Sequence, residues 1–227
     1  MDKLRIEVYR YLKQYQKLFG NELTLKPENN PTFLLTQKNK KYYQSNDLDN
    51  FENSINLCLK CNLGKSRTNF VFGVGDFKAD LFLVGEAPGE QEDIKGLPFV
   101  GRSGKLLDKI LTAIKKKRGQ GVYIANILKC RPPNNRDPLP SEILKCEPYL
   151  IEQINIVKPR LIVALGRVAG KALLKLDTTL KEMRNNIHDY HGIPVKVTYH
   201  PSALLRNPQL KKLAWNDFQW IRNYLNK

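Results

Sequence analysis

The chain has 227 residues, with 38 lysines and arginines against 22 aspartates and glutamates, so its formal net charge is +16. This excess predicts a polyanionic partner, most simply a nucleic acid, although a generally lysine-rich proteome would give the same composition. No apolar run approaches the roughly 20 residues of a membrane span, and the charged N-terminal stretch lacks the apolar core of a secretory signal. The composition therefore excludes an integral membrane protein and favours a soluble, intracellular (cytoplasmic) one.

The N-terminal residues are predicted to form an extension. Apolar residues recur at helical spacing over residues 2–19, and Gly20 follows them as a stop signal. Residues 21–47 are polar and contain two prolines, which is typical of a linker or mobile arm. We therefore divide the chain into a helix and linker over residues 1–47 and one larger domain over residues 48–227.

Strand and helix patterns alternate through the larger domain. In chain order we predict a helix from about Leu48, a strand over residues 81–84, a helix over 103–117, a strand over 122–128, a helix over 141–157, a strand over 161–166, a helix from about Val168, a strand over 193–199 and a helix over 209–225. This order predicts an α/β fold whose parallel sheet is covered by helices on both faces.

The four cysteines of the chain have a spacing that favours a metal site. Cys58 and Cys61 form a C-x2-C pair, and Cys130 and Cys146 flank a proline-rich and arginine-containing loop over residues 131–140. Four thiolates that converge in space can hold zinc or an iron–sulfur cluster. The alternatives are two disulfides or four unrelated buried thiols, which an intracellular C-x2-C pair makes less favourable.

Polar side chains follow the carboxyl ends of three predicted strands, where ligands bind in parallel sheets. An acidic turn containing Glu86 and Glu92 follows the first strand, Asn126 lies near the end of the second, and His200 follows the fourth. A solvated loop, a backbone-bonded amide and a structural histidine are the alternative interpretations. Phe99, on a loop framed by glycine and proline, is either part of the core or a stacking platform.

Together these segments resemble family 4 uracil-DNA glycosylases, the iron–sulfur branch of that superfamily, over roughly residues 50–225. GEAPGEQED, GLPFVG, ANILKCRPP and HPSALLRNP occur in this order, together with the four cysteines. The resemblance implies a three-layer α/β/α fold with a central four-stranded parallel sheet. It also implies hydrolysis of the N-glycosidic bond of deoxyuridine in single- or double-stranded DNA, by a protein that we expect to be a monomer.

The resemblance also implies the roles of individual residues. A [4Fe–4S] cluster would be held by Cys58, Cys61, Cys130 and Cys146. Uracil would be bound by Ala87, Glu92, Phe99, Asn126 and His200, and DNA by Arg131, Ser202, Leu205 and Arg206. Asn126 would read the base edge, His200 would stabilise charge on O2, and Glu92 would crowd the C5 position. Better-known superfamily members carry a water-orienting aspartate where this chain has Ala87, so Glu86 is the candidate by position.

Three other functions are compatible with parts of the sequence. A covalent uracil-DNA binder of the same superfamily would need a reactive histidine in an inserted loop, and residues 129–147 contain none. A non-catalytic nucleic-acid-binding module would explain the charge and the cysteines but not Asn126 or His200. A redox carrier is least favoured, because the spacing lacks the compact ferredoxin pattern.

Overall fold

The computed structural model describes residues 47–227, so all but the last residue of the predicted N-terminal extension lies outside the described residues. The helices are α1 (Asp47–Ile55), α2 (Leu63–Ser66), α3 (Glu90–Lys95), α4 (Arg102–Ala113), α5 (Pro140–Val157), α6 (Arg167–Leu174), α7 (Leu180–Asn185), α8 (Pro201–Arg206) and α9 (Leu210–Leu225). The strands are β1 (Val74–Gly75), β2 (Leu81–Gly85), β3 (Val122–Asn126), β4 (Leu161–Leu165), β5 (Ile187–Tyr190) and β6 (Ile193–Thr198).

The sheet has six strands in the order β1-β3-β2-β4-β6-β5, so the prediction of a four-stranded parallel sheet is wrong in number and only partly right in direction. The four middle strands are parallel, and β1 and β5 pair antiparallel at the two edges. The edge strands carry weak sequence signals because β1 has two residues and β5 is mostly polar. Short, polar edges are how sheets avoid pairing with other chains.

Strands β2, β3 and β4 are buried along their whole length, which explains their largely apolar sequences, whereas β6 is half-buried at its start and contains Lys196. Successive side chains alternate between the faces. Phe82 and Val84 belong to one core cluster, with residues of α5 and α6, whereas Leu81 and Leu83 belong to the other, with residues of α4 and α9. Helices thus cover both faces, and the layered arrangement predicted from the sequence is present.

The helix predicted over residues 103–117 ends at Ala113. Lys115 has φ 59°, which breaks the helical backbone, and a short bridge between Lys117 and Gln120 follows. The resulting loop returns Arg118 towards the start of α4. Within residues 47–227, no helix is long and apolar enough to cross a membrane.

Candidate active site

A cavity of about 560 Å³ opens at the carboxyl ends of the parallel strands. The strand register aligns Gly85 with Asn126 and Leu165 with Thr198, so the segments that follow these strands meet at one edge. Residues predicted from the sequence that line the cavity are Glu86, Ala87, Glu92, Phe99, Asn126, His200, Ser202 and Arg206. The structure therefore brings together side chains that are more than 100 positions apart in the sequence.

Gly85, the last residue of β2, lets two of these side chains approach the strand backbone. A Cβ atom at this position would lie 2.3 Å from Asn126 Oδ1 and 2.5 Å from Phe99 Cζ. The Phe99 ring is 5% exposed and lies 5.6 Å from the His200 ring, measured between centroids. The cavity thus has an aromatic wall beside a buried amide, an arrangement suited to a flat, hydrogen-bonding ligand such as a nucleobase.

Asn126 is 2% exposed, and its Oδ1 is the one buried side-chain oxygen or nitrogen without a hydrogen-bond partner among the described residues. Buried polar atoms are normally paired, because an unpaired one costs about 1–3 kcal/mol. An unpaired acceptor facing a cavity indicates a ligand that brings a donor. The backbone-bonded alternative for this side chain is therefore not what the structure shows.

His200 is held in one orientation by Ser202. The Ser202 backbone N–H donates to Nδ1 at 3.2 Å, and the Ser202 hydroxyl lies 2.7 Å from the same nitrogen. Burial, and secondarily the charge of Arg206, lower the pKa of His200 to about 4. The imidazole is therefore neutral at pH 7, and because Nδ1 accepts, the proton lies on Nε2. Nε2–H is left as a donor.

Glu86 is a partly buried acid at the rim of the cavity. Burial, and secondarily the negative charge of Asp137, raise its pKa to about 7, and the Arg167 guanidinium opposes this shift. A carboxyl group that titrates near neutral pH can act as a general base.

Glu92 holds the backbone of the Phe99 loop. Its Oε1 accepts from the backbone N–H groups of Val100 and Gly101, at 2.9 Å and 2.8 Å. This bonding was not predicted from the sequence, although the side chain does line the cavity. One carboxylate thus supports the wall on which Phe99 lies.

The predicted DNA-binding residues have different surroundings. Ser202 and Arg206 line the cavity, and Leu205, on α8, is an exposed apolar side chain. Arg131 lies outside the cavity lining, and its Nε donates to Asn135 Oδ1 at 2.9 Å. Leu205 is adjacent in sequence to the lining residue Arg206, and Nη1 of Arg131, on the loop between β3 and α5, also lies 3.9 Å from Glu90 Oε1.

Among the lining residues that were not predicted from the sequence are Gly166, Arg167 and Arg136. Gly166 and Arg167 directly follow β4. The rule that ligands bind past the carboxyl ends of parallel strands, applied to β4 as to the other strands, would have predicted them. Arg136 is held by Glu142, with contacts of 2.6 Å and 2.9 Å, and no local pattern signals its position.

The four cysteines are free thiols, so the alternative of two disulfides is not what the structure shows. Arg67 Nη1 donates to Cys130 Sγ at 3.3 Å, and the Tyr149 hydroxyl donates to Cys58 Sγ at 3.1 Å. Donors aimed at sulfur atoms fit thiolates better than thiols. Within residues 47–227, however, no group of three or more His, Cys, Asp or Glu side chains is arranged to hold a metal ion.

Lys129 gives a further test of whether a metal fits. Its side chain is fully buried, and its ammonium donates to the Asn126 carbonyl and to Gln153 Oε1, both neutral acceptors. Burial lowers the pKa of Lys129 to about 8, and the thiolate forms of Cys146 and Cys130 would oppose this shift. A buried cation is stabilised by anionic neighbours, and metal-bound cysteines are anionic. The chemistry of these donors therefore suits thiolate ligands, although the four cysteine side chains are not arranged around a common metal position in the structure.

Comparison with known proteins extends the sequence resemblance. The profile of the Uracil DNA glycosylase superfamily matches residues 72–219. The chain is 45% identical to a type-4 uracil-DNA glycosylase of Archaeoglobus fulgidus over 188 residues, which cover 79% of this chain and 94% of the relative. It is 40% identical to the type-4 uracil-DNA glycosylase of Saccharolobus solfataricus, over 79% of this chain and 87% of the relative. A type-4 uracil-DNA glycosylase of Thermotoga maritima is 40% identical over 76% of this chain and 92% of its own length.

Proposed function

Because this chain belongs to the uracil-DNA glycosylase superfamily, we propose that it hydrolyses the N-glycosidic bond of deoxyuridine in DNA, releasing uracil and leaving an abasic site for repair. The observation that carries the proposal is the unpaired Oδ1 of Asn126, buried beside Phe99 in a cavity that His200 also lines. These three groups can recognise one flat base with a polar edge.

Recognition begins when the nucleotide leaves the base stack, which costs a few kcal/mol in a duplex. Phe99 stacks on the extruded uracil. The Asn126 amide then accepts from N3–H and donates to O4. Cytosine presents the opposite donor and acceptor pattern, so it would leave buried groups unpaired at about 1–3 kcal/mol.

His200 assists bond cleavage as a neutral donor. Negative charge develops on uracil O2 as the glycosidic bond breaks, and Nε2–H of His200 donates to that oxygen. Ser202 supports this role because its N–H fixes the tautomer that leaves Nε2 protonated. An imidazole with a pKa of about 4 can stabilise this charge without first losing or gaining a proton at pH 7.

Glu86 activates the attacking water in this proposal. Ala87 offers no carboxylate, and Glu86 is the acid whose pKa lies near neutral pH beside the cavity. Glu92 crowds the C5 side of the base, so that the methyl group of thymine does not fit. Its anchoring to Val100 and Gly101 supports this role, because an anchored side chain is a firm steric barrier.

DNA binding is assigned to the basic surface around the opening. Arg206 and Ser202 contact the backbone, and Leu205 enters the space that the flipped base leaves. Arg131 contributes a phosphate contact from the neighbouring loop. Binding of this kind weakens steeply with salt, because each neutralised phosphate releases counterions.

A [4Fe–4S] cluster would be held by Cys58, Cys61, Cys130 and Cys146. When bound it supplies a structural crosslink and no redox step in the hydrolysis. Cys130 and Cys146 lie at the two ends of the segment that contains the 131–140 loop, so their ligation would hold that loop beside the cavity. The loop contributes Pro132, Asn135, Arg136 and Asp137 to the lining.

A Cys146→Ser variant tests this structural role. We expect iron content, brown colour and melting temperature to fall together, because one lost ligand opens the crosslink. A colourless variant that keeps full stability and activity would disprove it.

Three broader assignments belong to the same proposal. The substrate is uracil-containing DNA, single- or double-stranded, and we assign the protein to the cytoplasm. We assign it a monomeric state. Residues 48–227 form the catalytic domain, and residues 1–47 add an arm that binds DNA or a partner.

The test is release of free uracil from a single-stranded oligonucleotide with one deoxyuridine. Wild type would be compared with His200→Ala and Asn126→Ala, and a thymine-only oligonucleotide would be the control. We expect multiple turnovers by wild type, large losses in both variants and no action on the control.

Other outcomes identify the alternatives. Equal, salt-sensitive binding by all three proteins without uracil release would indicate a binding module. A protein–DNA adduct that survives a denaturing gel would indicate a covalent binder.

A further inference from the structure

The backbone at Phe99 has a conformation that an aromatic residue rarely adopts. Its φ is 55°, in the left-handed region that favours glycine. The first turn of α4 packs directly against this peptide, since a Cβ atom at Gly104 would lie 1.8 Å from the Phe99 carbonyl oxygen. A strained residue at a functional site persists only where its surroundings hold it in place.

Arg118 holds the carbonyl side of this strained segment. Its Nη1 donates to the Pro98 carbonyl at 2.7 Å, and its Nη2 donates to the Phe99 carbonyl at 2.8 Å. Glu92 binds the next two N–H groups, so the peptide bonds around Phe99 are held from both sides. The two carbonyls are reached from a loop 19 and 20 residues further along the chain.

Asp108, on α4, orients the guanidinium. Its Oδ1 lies 3.2 Å from Arg118 Nε and 3.1 Å from Nη2. The Arg118 side chain is only 22% exposed, although its neighbours Lys115, Lys116 and Lys117 belong to a basic surface run. A planar guanidinium can bind two carbonyls and a carboxylate together, which a lysine ammonium cannot match in geometry. Arg118 is therefore committed to the Phe99 loop and not available as a free phosphate ligand.

We propose that Arg118 is a positioning residue for base recognition: it fixes the left-handed backbone at Phe99 and thereby the ring on which uracil stacks. This inference rests on the proposed function, because it deepens the role given there to Phe99. Loss of the guanidinium would let the loop relax towards ordinary backbone angles. The ring would then no longer be preorganised beside Asn126 and His200, and uracil binding would weaken while the DNA-binding surface stays in place.

The test compares Arg118→Ala with Lys117→Ala, which removes one positive charge from the same loop without touching either carbonyl. Three quantities would be measured: kcat/KM for uracil release, inhibition by free uracil, and affinity for a thymine-only oligonucleotide of equal length. For Arg118→Ala we expect a fall of about 10- to 100-fold in kcat/KM and a comparable loss of uracil inhibition, because the stacking ring is misplaced. Affinity for the thymine-only oligonucleotide should fall no more than in Lys117→Ala. Added guanidinium ion should restore part of the activity of Arg118→Ala alone.

Several results would overturn this inference. Arg118→Ala that matches Lys117→Ala in all three quantities would show that the carbonyl contacts are dispensable. A loss confined to DNA affinity would make Arg118 a phosphate ligand. If Arg118→Ala does not fold, Asp108→Ala gives a milder test and should lower kcat/KM and uracil inhibition together, whereas wild-type values would refute the role. Wild type that releases no uracil would overturn the proposed function itself, a result distinct from all of these.

Discussion

Two buried polar regions lie on either side of the end of β6, and they differ in how completely they are hydrogen-bonded. The first region is centred on Arg184, which donates to Asp217 at 2.9 Å, to the Tyr199 hydroxyl at 3.2 Å and to the Leu213 carbonyl at 3.2 Å. The Thr198 hydroxyl also donates to Asp217, at 2.6 Å. Two residues beyond Thr198, His200 enters the cavity, where Asn126 has an unpaired oxygen and Glu86 a raised pKa.

The difference indicates that the Arg184 region has a structural role and the cavity a functional one, although Thr198 and His200 are only two residues apart. The Arg184 network links β6, α7 and α9, and its guanidinium is paired with the Asp217 carboxylate, so it contributes rigidity. In the cavity, polar groups such as Asn126 Oδ1 have hydrogen-bonding positions that no other group of the protein fills. Removing a group from the first region should cost stability, and removing one from the second should cost activity.

Asp217→Ala should give the largest effect on stability. It would leave the Arg184 guanidinium buried without its carboxylate, which typically costs about 3–5 kcal/mol. Chemical denaturation would measure the loss. Uracil release per folded molecule, measured well below the melting temperature, should stay close to wild type. A variant as stable as wild type would contradict the structural role of the network.

Asn126→Ala should produce the opposite result. Its Oδ1 has no partner to lose, so the melting temperature should change little. The kcat/KM for uracil release should fall by about 10²- to 10³-fold, as for removal of other preorganised hydrogen-bonding groups. Parallel melting and uracil-release assays check both halves. A large loss of stability with retained activity would mean that the Asn126 amide has a structural role, like the Arg184 network.

Glu86→Gln should raise stability at alkaline pH. The carboxyl group has a pKa of about 7 in the folded chain against 4.5 as its ordinary value, so its stabilising contribution is complete below pH 4.5 and is lost as pH rises through 7. With allowance for solvent screening of a partly exposed group, the variant should gain about 1–2 kcal/mol at pH 8 over wild type. Denaturation at pH 5 and pH 8 would measure the difference, which should be small at pH 5.

The same variant tests the catalytic assignment. If the Glu86 carboxylate activates water, wild-type kcat should rise with pH around an apparent pKa of about 7, and Glu86→Gln should be slow and lack that rise. An unchanged pH profile would assign water activation to another group.

Leu205→Ala should give the smallest effect, confined to duplex DNA. Leu205 is 38% exposed on α8 beside the cavity, and Leu213, at 42% exposed on α9, is a matched control. Losing an apolar group that fills the vacated stack should lower kcat/KM on duplex substrate about fivefold, or about 1 kcal/mol, with less change on single strands. Equal effects of Leu205→Ala and Leu213→Ala would show that Leu205 does not enter the space left by the flipped base.

The sequence was sufficient for the elements whose signals are local. Strands β2, β3 and β4 have largely apolar runs, and the rule that ligands bind past the carboxyl ends of parallel strands pointed to Glu86, Asn126 and His200. Arg118 was not found, because in a run of four basic residues it is indistinguishable from a solvated side chain until α4 ends at Ala113 and the loop turns back. Edge strand β1 was missed for a related reason: two residues carry no periodicity, and only pairing with β3 defines them.

The unpaired oxygen of Asn126 also has a consequence for protein engineering. Substitutions that raise melting temperature are common, and those at strained or unsatisfied sites tend to remove function. A selection that scored heat resistance alone should accept apolar replacements at position 126 early, because nothing inside the folded chain opposes them. Directed evolution of this protein therefore needs uracil release in every round of screening.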